Sequence, residues 1–537
     1  MKKKIISIFI TAAMSVSMAA GAFAAEDGAD AVNAEVYTSM SEAEKTEYIN
    51  DNLSVRLQHL SRLVSISSNQ ALDKMAGEVK AALDDGLTAV EIKEAIYHSG
   101  AYCGFTRAAA ALDAADEALK ALGQDIPYES RITSTEETRY DDGLAVQRFL
   151  FGAKRPTIGA VTDDMEESLK LQTLFLSGIC FGDFYNRVGL PVYEREFLTL
   201  CTIAGNDNCQ AQFSSHTGGN LDVGHSKDML RAAMLCNEDV NGEEKTAIAI
   251  DVINANTTEL NENPTPERPQ PTEAITADYA SDSEELLSLM EHFKTDDKEN
   301  YVGRNIDNAT QDILIAATEA VINGTEIPAS ENKATQVLID LAVMGAQGGR
   351  ESELAGKISE GYAAGLTKDN MLAVPLLTAP YNGFPRTLNM RNALSAEIDA
   401  AAETAKTTVT MQIGSPVMTI NGTQQNIDTE GTAPVVIDNR TLLPVRAFVE
   451  AIGGEVAWDD NTYTAALKYD GKEILLTIGS TTAYLDNEAN TLDVTPVIIN
   501  NRTMLPIGFI AESFGFMVEW ENSTQTVIIT DNTNDEK

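Results

Sequence analysis

The stretch DNCQAQFSSH, residues 207–216, concentrates side chains that can transfer protons or act as nucleophiles. If it is helical, Cys209, Gln212 and His216 stand at positions i, i+3 and i+7 and share one helix face. A thiolate can attack an electrophile, an amide can bind a developing anion, and an imidazole can act as general acid or base. The spacing therefore predicts an acid–base site or a thiol-dependent site, with a buried polar pair as the alternative without chemistry.

Cysteine and histidine spacing elsewhere gives no metal-binding pattern. The chain has 5 Cys and 5 His, and neither Cys-x-x-Cys nor His-x-x-x-His occurs. We predict no metal and no bound cofactor. An odd number of cysteines leaves at least one thiol free or intermolecular if disulfides form. The thiols are Cys103, Cys180, Cys201, Cys209 and Cys236.

The N-terminus and the charge limit where the protein works and what it binds. Residues 1–24 are typical of a secretory signal peptide, with three early lysines, an apolar run and a small-residue cleavage site. We therefore expect a secreted, extracellular protein, either free or associated with the cell surface. A net charge of -42 disfavours nucleic acid and anionic membranes as partners. A small-molecule substrate is the expected partner, and a homo-oligomer is a further candidate.

Composition changes divide the chain. Residues 261–274 carry four prolines between Pro264 and Pro271 and predict an extended linker. Near residue 407, helix formers give way to β-branched residues and an Asn421-Gly422 hairpin signal. The predicted fold is multidomain, with all-α units followed by a small α+β module over residues 407–537.

The helical region contains an internal repeat. GLTAVEIKEAIYHSGAYCGFTRA, from Gly86, returns as GLTKDNMLAVPLLTAPYNGFPRT, from Gly365. Thr88 and Glu91 form a capping box, which predicts a helix start at Gly-Leu-Thr. The Tyr-x-Gly-Phe motif then predicts the end of that helix and a turn.

These motifs resemble the carboxymuconolactone decarboxylase family, which is related to the alkylhydroperoxidase D proteins. The middle segment FGDFYNRVGLPVYEREFLTLCTIAG, followed by CQAQFSSHTGGNLDVG, is similar to the second half of tandem members. The resemblance covers about residues 36–405 and implies three helical units. Their predicted boundaries are 36–125, 126–260 and 275–405.

Aligning the three units on their glycines indicates which of them can be active. His216 stands eight residues before Gly224. The equivalent positions hold Glu78 in the first unit and Lys357 in the third. Only the middle unit carries a histidine there, so it is the candidate active unit, and the outer two are expected to be scaffold or oligomer-forming.

The resemblance implies two chemistries. Peroxidase members are similar to Cys-x-x-Cys-x-x-x-His, whereas this chain has glutamine at the second thiol position, between Cys209 and His216. Glutamine cannot form a disulfide, so a peroxidase would need a remote resolving cysteine. Decarboxylase-like members resemble a Glu on one helix and Gln-x-x-x-His on the next, here Glu196, Gln212 and His216.

In the decarboxylase-like interpretation, His216 supplies a proton and Gln212 donates a hydrogen bond to the enolate-like anion. Glu196 orients the imidazole, and Arg187 and Arg195 are available for a substrate carboxylate. The leading hypothesis is a lyase-like enzyme for a small organic acid or lactone. A thiol peroxidase that also uses Cys209 and a non-catalytic surface or binding protein are the alternatives.

The C-terminal region repeats VIDNRTLLPVRAFVEAIGGEVAWDD, from Val436, 62 residues later from Ile498. This pattern resembles the copper amine oxidase N-terminal-like domain. Residues 407–537 contain no His and no Cys, so we expect no copper there. Trp458 and Trp520 stand at equivalent positions and are expected in the core. A cell-surface polymer is a candidate partner of this module.

Overall fold

The computed structural model describes residues 35–124, 127–152, 158–162, 165–262, 264, 273–293, 306–405, 407–438 and 440–531. They divide between two compact units, Met1–Ile398 and Asp399–Lys537. Within the described residues, no helix combines the length and the apolarity needed to cross a membrane. The predicted signal peptide and all but a few residues of the predicted proline-rich linker lie outside the described residues.

The first unit is helical. Its 3-10 turns are Leu72–Lys74, Leu289–Phe293 and Glu351–Glu353, and Leu176–Asp183 is a π-helix. Its α-helices are α1 (Glu35–Thr38), α2 (Glu42–Asn52), α3 (Val55–Asn69), α4 (Met75–Asp84), α5 (Ala89–Cys103), α6 (Phe105–Ala121), α7 (Arg139–Phe151), α8 (Glu167–Phe175), α9 (Val192–Ala204), α10 (Gln210–Asp222), α11 (Lys227–Cys236), α12 (Glu238–Asn241), α13 (Glu243–Ala255), α14 (Asp282–Ser288), α15 (Asn308–Asn323), α16 (Lys333–Gln347), α17 (Leu354–Ala363), α18 (Lys368–Leu377), α19 (Ala379–Asn382) and α20 (Phe384–Ala405).

The same succession of helices occurs three times in this unit. It runs through α3–α6, then α9–α13, then α16–α20, and α12 and α19 are short turns that extend the third helix. The predicted capping box at Thr88 and Glu91 is present, and α5 ends at Cys103, where the Tyr-x-Gly-Phe motif predicts an end. The local sequence signals therefore predict where the third helix of the first repeat begins and ends.

The first and third repeats meet through their matching turns. A Cβ at Gly104 would lie 2.2 Å from the carbonyl oxygen of Tyr381, and a Cβ at Gly383 would lie 2.2 Å from that of Tyr102. Both glycines also have positive φ, 104° and 77°. The contact is reciprocal, and each repeat supplies the glycine that lets the backbone of the other approach.

The second unit is strand-rich, as predicted, and the fold class is confirmed. It contains the helices α21 (Val445–Ala451) and α22 (Ile507–Ser513). Its strands are β1 (Thr408–Gln412), β2 (Val417–Ile420), β3 (Thr423–Asn426), β4 (Val435–Ile437), β5 (Arg440–Pro444), β6 (Glu455–Asp459), β7 (Thr464–Tyr469), β8 (Lys472–Thr477), β9 (Thr482–Leu485), β10 (Glu488–Thr491), β11 (Val497–Ile499), β12 (Arg502–Pro506), β13 (Phe516–Glu521) and β14 (Thr526–Asp531).

Three antiparallel sheets interlock the two sequence repeats of this unit. Their strand orders are β13-β14-β1-β2-β3, β10-β9-β8-β7-β6 and β11-β12-β5-β4. The first strand pairs with the last, with Val409 opposite Ile529, and the two repeats join where Leu443 lies opposite Leu505. Each repeat therefore completes its sheet with strands of the other.

The expectation that both tryptophans belong to the core is wrong. Trp520 is 41% exposed, and Trp458 is only partly buried at the edge of the core. Each indole N–H donates to a side chain two residues later, Asp460 or Asn522, at 2.8 and 2.7 Å. These tryptophans brace a surface turn, because the core is already filled by aliphatic and phenylalanine side chains from the sheets and helices.

We predict that Gly104→Ala destabilises the helical unit more than Gly86→Ala. Both positions have positive φ, 104° and 93°, where a Cβ costs about 1–2 kcal/mol. At Gly86 the space around a Cβ is open, whereas at Gly104 the Cβ meets the Tyr381 carbonyl. Denaturant unfolding of both variants measures the difference, and equal losses would show that the reciprocal contact carries no energy.

Candidate active site

The site is built on α9 and α10, which pack against each other in the middle repeat. The residues of α9 from Arg195 to Ala204 are all buried, polar and apolar alike, and the Glu196 carboxylate is buried with them. Glu196 is 0% exposed. A buried carboxylate needs hydrogen-bond donors, and those donors define the site.

Two side chains satisfy the Glu196 carboxylate. Nδ1 of His216 lies 2.8 Å from Oε1, and the Tyr185 hydroxyl donates to Oε2 at 2.7 Å. The predicted pairing of Glu196 with His216 is therefore confirmed. Since the carboxylate accepts, the neutral imidazole carries its proton on Nδ1 and presents Nε2 as a base. Within the described residues, Nε2 has no hydrogen-bond partner.

Aromatic rings enclose the imidazole. Tyr102 and Phe151 meet His216 edge-on, with ring centroids 5.7 and 5.6 Å away. The histidine side chain keeps 12% of its surface exposed, whereas Glu196 has none. In the Glu196–His216 pair, the carboxylate is therefore closed to solvent and the imidazole is accessible to it.

A chain of hydrogen bonds continues from the carboxylate into the core. The Tyr102 hydroxyl donates to that of Tyr185 at 3.2 Å, and the Cys180 thiol donates to Tyr102 at 3.4 Å. Burial and the charge of Glu196 hold the pKa of Tyr185 well above its usual range. Tyr185 therefore remains a phenol and a permanent donor to Glu196.

A second histidine, His98, joins this chain of hydrogen bonds through Thr199. Thr199 Oγ lies 2.8 Å from the Tyr185 hydroxyl and 2.9 Å from Nε2 of His98, whose Nδ1 faces the Phe184 carbonyl at 3.3 Å. Burial and the charge of Arg195 lower the pKa of His98 to about 3. His98 is therefore neutral at physiological pH and adds no charge beside the carboxylate.

Gln212 lies one turn before His216 and binds outward. Its Nε2 donates to Oδ1 of Asn389 at 2.7 Å, and Nδ2 of Asn389 donates to the Asn208 carbonyl at 2.7 Å. Because the amide nitrogen of Gln212 makes this hydrogen bond, its Oε1 is left buried with no hydrogen-bond partner among the described residues. The sequence predicts Gln212 as a donor to an anion, but the unsatisfied atom is an acceptor, which suits a substrate hydroxyl or acid proton.

Cys209 is the residue before α10, and its environment disfavours redox chemistry. It is 2% exposed, and burial raises the pKa of its thiol to about 12. Burial likewise raises the pKa of Cys180 to about 12 and that of Cys236 to about 11. All five cysteines belong to the described residues, and all are free thiols. A reactive thiolate needs the opposite environment.

The expectation that Arg187 and Arg195 hold a substrate carboxylate is wrong. Both are buried and bind Glu94, at 2.9 and 2.8 Å, and Arg187 also binds Glu285 at 2.6 Å. Arg195 further donates to the Phe184 carbonyl at 3.1 Å. The guanidinium groups of both arginines therefore form ion pairs with internal carboxylates, and these ion pairs fix the loop that carries Tyr185.

The positions equivalent to His216 hold Glu78 and Lys357, and each also pairs with a charged or titratable side chain on the first helix of its repeat. The three pairs are His59–Glu78 at 2.6 Å, Glu196–His216 at 2.8 Å and Asp340–Lys357 at 2.9 Å. The first pair is reversed, with the histidine on the first helix. Its Nε2 also binds Asp85 at 2.8 Å, so both nitrogens are occupied. Although burial lowers it, the hydrogen bonds to Glu78 and Asp85 raise the pKa of His59 overall.

Tyr185, Thr199, Tyr102 and His98 belong to the site but are absent from the sequence prediction. Thr199 follows Glu196 by three residues on one helix face, which is a usable signal. Tyr185 lies in the irregular segment after the π-helix, where spacing predicts nothing. Tyr102 and His98 arrive from the first repeat through tertiary packing. No group of three or more His, Cys, Asp or Glu side chains suited to a metal occurs among the residues described.

We predict that Gly219→Ala disrupts the site while Gly218→Ala does not. A Cβ at Gly219 would lie 2.6 Å from Oε1 of Glu196 and 2.6 Å from the Phe151 ring. Overpacking of this kind costs about 1–3 kcal/mol. At Gly218 the nearest atom is Thr258 Oγ1, at 3.2 Å, and alanine gains up to about 1 kcal/mol of helix propensity. Unfolding free energies that do not separate the two variants would refute this packing argument.

We predict that His98 makes the helical unit sensitive to acid. Between pH 6.5 and about 3, the unfolded chain protonates this histidine and the folded chain does not. His98 therefore contributes a fall in the free energy of unfolding as the pH drops through this window, of about 1.4 kcal/mol per unit for one proton. Burial also lowers the pKa of His225 to about 4, which adds its own contribution. His98→Gln should therefore reduce the slope between pH 4 and 6 by the contribution of one proton. His59→Gln should leave it unchanged, because both states protonate His59 there, and an unaltered slope in His98→Gln would contradict the assignment.

Two family models match the chain. Residues 34–117 match the carboxymuconolactone decarboxylase family, and residues 424–529 match the copper amine oxidase N-terminal domain. No curated protein matches at a significant level of similarity. Glu196 and His216 lie outside both matched ranges. Over the matched ranges, both resemblances predicted from the sequence are confirmed: the helical unit contains a carboxymuconolactone decarboxylase-like region, and the strand-rich unit contains a region like the copper amine oxidase N-terminal domain.

Proposed function

We propose that the protein is an exported acid–base enzyme that acts on a small organic acid or lactone, with His216 as the proton-transfer group. One observation carries the proposal. The His216 imidazole has Nδ1 bonded to a buried carboxylate and Nε2 unoccupied within the described chain, and Gln212, one helical turn earlier, has an acceptor with no partner among the described residues. The other two repeats have no unoccupied imidazole nitrogen at the equivalent position.

The proposed reaction is a decarboxylation. The bond between the carboxylate carbon and its neighbour breaks, CO2 leaves, and the electron pair remains as an enolate-like anion. Nε2–H of protonated His216 delivers a proton to the carbon, and the neutral imidazole regains one from water. On a lactone, the same nitrogen removes or returns a proton next to the carbonyl.

Glu196 makes the imidazole effective in both protonation states. Its Oε1 lies 2.8 Å from Nδ1, and this contact fixes the ring so that Nε2 is presented. Tyr185 holds the other carboxylate oxygen, so the acid cannot turn away. Glu196 and Tyr185 are positioning residues, since neither has a free atom for substrate.

The thiols favour this chemistry over a peroxidase. Burial raises the pKa of Cys209, Cys180 and Cys236 to about 11 or 12, so thiolate is scarce at neutral pH. Cys209 also lacks a second thiol at the Gln212 position. We propose export on the evidence of the N-terminal sequence, and a cell-surface polymer as partner of the C-terminal module because an exported protein meets such polymers.

We predict that His216→Ala lowers turnover by about 10²- to 10⁴-fold, the range of general acid–base catalysis. The assay measures CO2 release and lactone consumption over a panel of small organic acids and lactones, with hydroperoxide consumption in parallel. His59→Gln is the matched control, because it removes the reversed pair of the first repeat. Cys209→Ser should retain turnover, because the thiol is only a neighbour.

His216→Gln guards against a folding defect, since it keeps a polar side chain of similar reach. A loss below about threefold in both His216 variants would refute the acid–base role. Hydroperoxide consumption that requires Cys209 and not His216 would instead establish the thiol peroxidase.

A further inference from the structure

A small pocket lies beside α10, between the loop before it and the third repeat. Its cavity volume is about 10 Å³. That space suits one small polar group. The lining residues that matter are Asn208, Arg386 and Asn389.

Arg386 has unused hydrogen-bonding capacity in this pocket. Arg386 is 8% exposed, and its buried Nε has no hydrogen-bond partner among the described residues. Its nearest carboxylate is Asp207, at 4.0 Å, which is 57% exposed and closer to Lys245 at 3.2 Å. A guanidinium removed from water to this extent normally has its donors filled.

Arg107 adds positive charge from the first repeat. Gly-Phe-Thr-Arg107 and Gly-Phe-Pro-Arg386 are equivalent motifs, and the reciprocal turn contact brings their repeats together. Burial and the charge of Arg386 lower the pKa of Arg107. In a chain of net charge -42, two arginines that repel each other form an unusual site.

The pocket lining also carries one carboxylate, Glu351, and a second arginine, Arg350, which binds Glu353 at 2.5 Å. Within the described residues, no ion pair joins Glu351 to Arg386. The start of α10 faces the same loop, and Cys209 makes no side-chain cap, so the helix dipole also favours an anion.

We propose that Arg386 binds the carboxylate of the substrate and that Asn389 connects this subsite to the reacting centre. This subsite rests on the proposed acid–base function, because Arg386 would hold the carboxylate of the substrate of that reaction. Asn389 binds Gln212 at 2.7 Å, and Gln212 precedes His216 by four residues, about 6 Å along the helix. The hydrogen bond between Asn389 and Gln212 therefore links the pocket of Arg386 to the helix that carries His216.

The test is calorimetric titration of the full mature chain with succinate at low ionic strength, with succinamide as the uncharged control ligand. We expect saturable millimolar or tighter binding of succinate alone. Arg386→Gln should weaken it at least tenfold. Arg350→Gln, on the same pocket, should change it less than threefold, and Asp207→Asn should strengthen it because the competing carboxylate is removed.

Equal succinate affinity in Arg386→Gln and wild type would overturn the subsite, as would equal weakening by Arg350→Gln or no binding to wild type. Circular dichroism of each variant checks its fold, and the gain expected for Asp207→Asn cannot arise from unfolding. The two proposals fail separately. Arg386-dependent binding without any His216-dependent turnover would refute only the enzyme, whereas His216-dependent turnover with Arg386-independent binding would refute only the subsite.

Discussion

The site depends on one buried carboxylate. Glu196 is completely excluded from water, and its two oxygens are held by His216 at 2.8 Å and Tyr185 at 2.7 Å. A charge in that position is tolerable only while both donors stay in place. Gly219 leaves room for the carboxylate, and the arginines bound to Glu94 hold the loop that delivers Tyr185. Much of the middle repeat therefore keeps hydrogen-bond donors in place around the buried Glu196 carboxylate.

Each of the three helical repeats has a pair of charged or titratable side chains between its first two helices. In the first repeat both ring nitrogens of His59 are bound by carboxylates, and in the third the pair is an aspartate and a lysine. Only the second leaves a nitrogen unoccupied within the described residues. The outer repeats nevertheless contribute to the site, since Tyr102 contacts His216 and Asn389 binds Gln212. Side chains from the other two repeats therefore complete the surroundings of Glu196 and His216.

Local signals predict the fold and half of the site. Caps, positive-φ glycines and the repeat itself identify the helices, and helical spacing with the family resemblance selects Glu196, Gln212 and His216. Spacing cannot predict partners that arrive through packing, such as Tyr102, His98 and Arg386. It also misassigns Arg187 and Arg195, because buried carboxylates distant in sequence already bind them. The exposed Trp520 shows the same limit, since core membership depends on which side chains fill the space first.

The tautomer of His216 tests the central claim most directly. With only 5 His in the chain, ¹⁵N-labelled imidazoles can be assigned by single His→Gln variants. If Glu196 orients the ring, the neutral His216 should show a protonated Nδ1 and a bare Nε2, and Glu196→Leu should abolish that preference. A neutral His216 protonated on Nε2, or a tautomer unchanged in Glu196→Leu, would contradict the account.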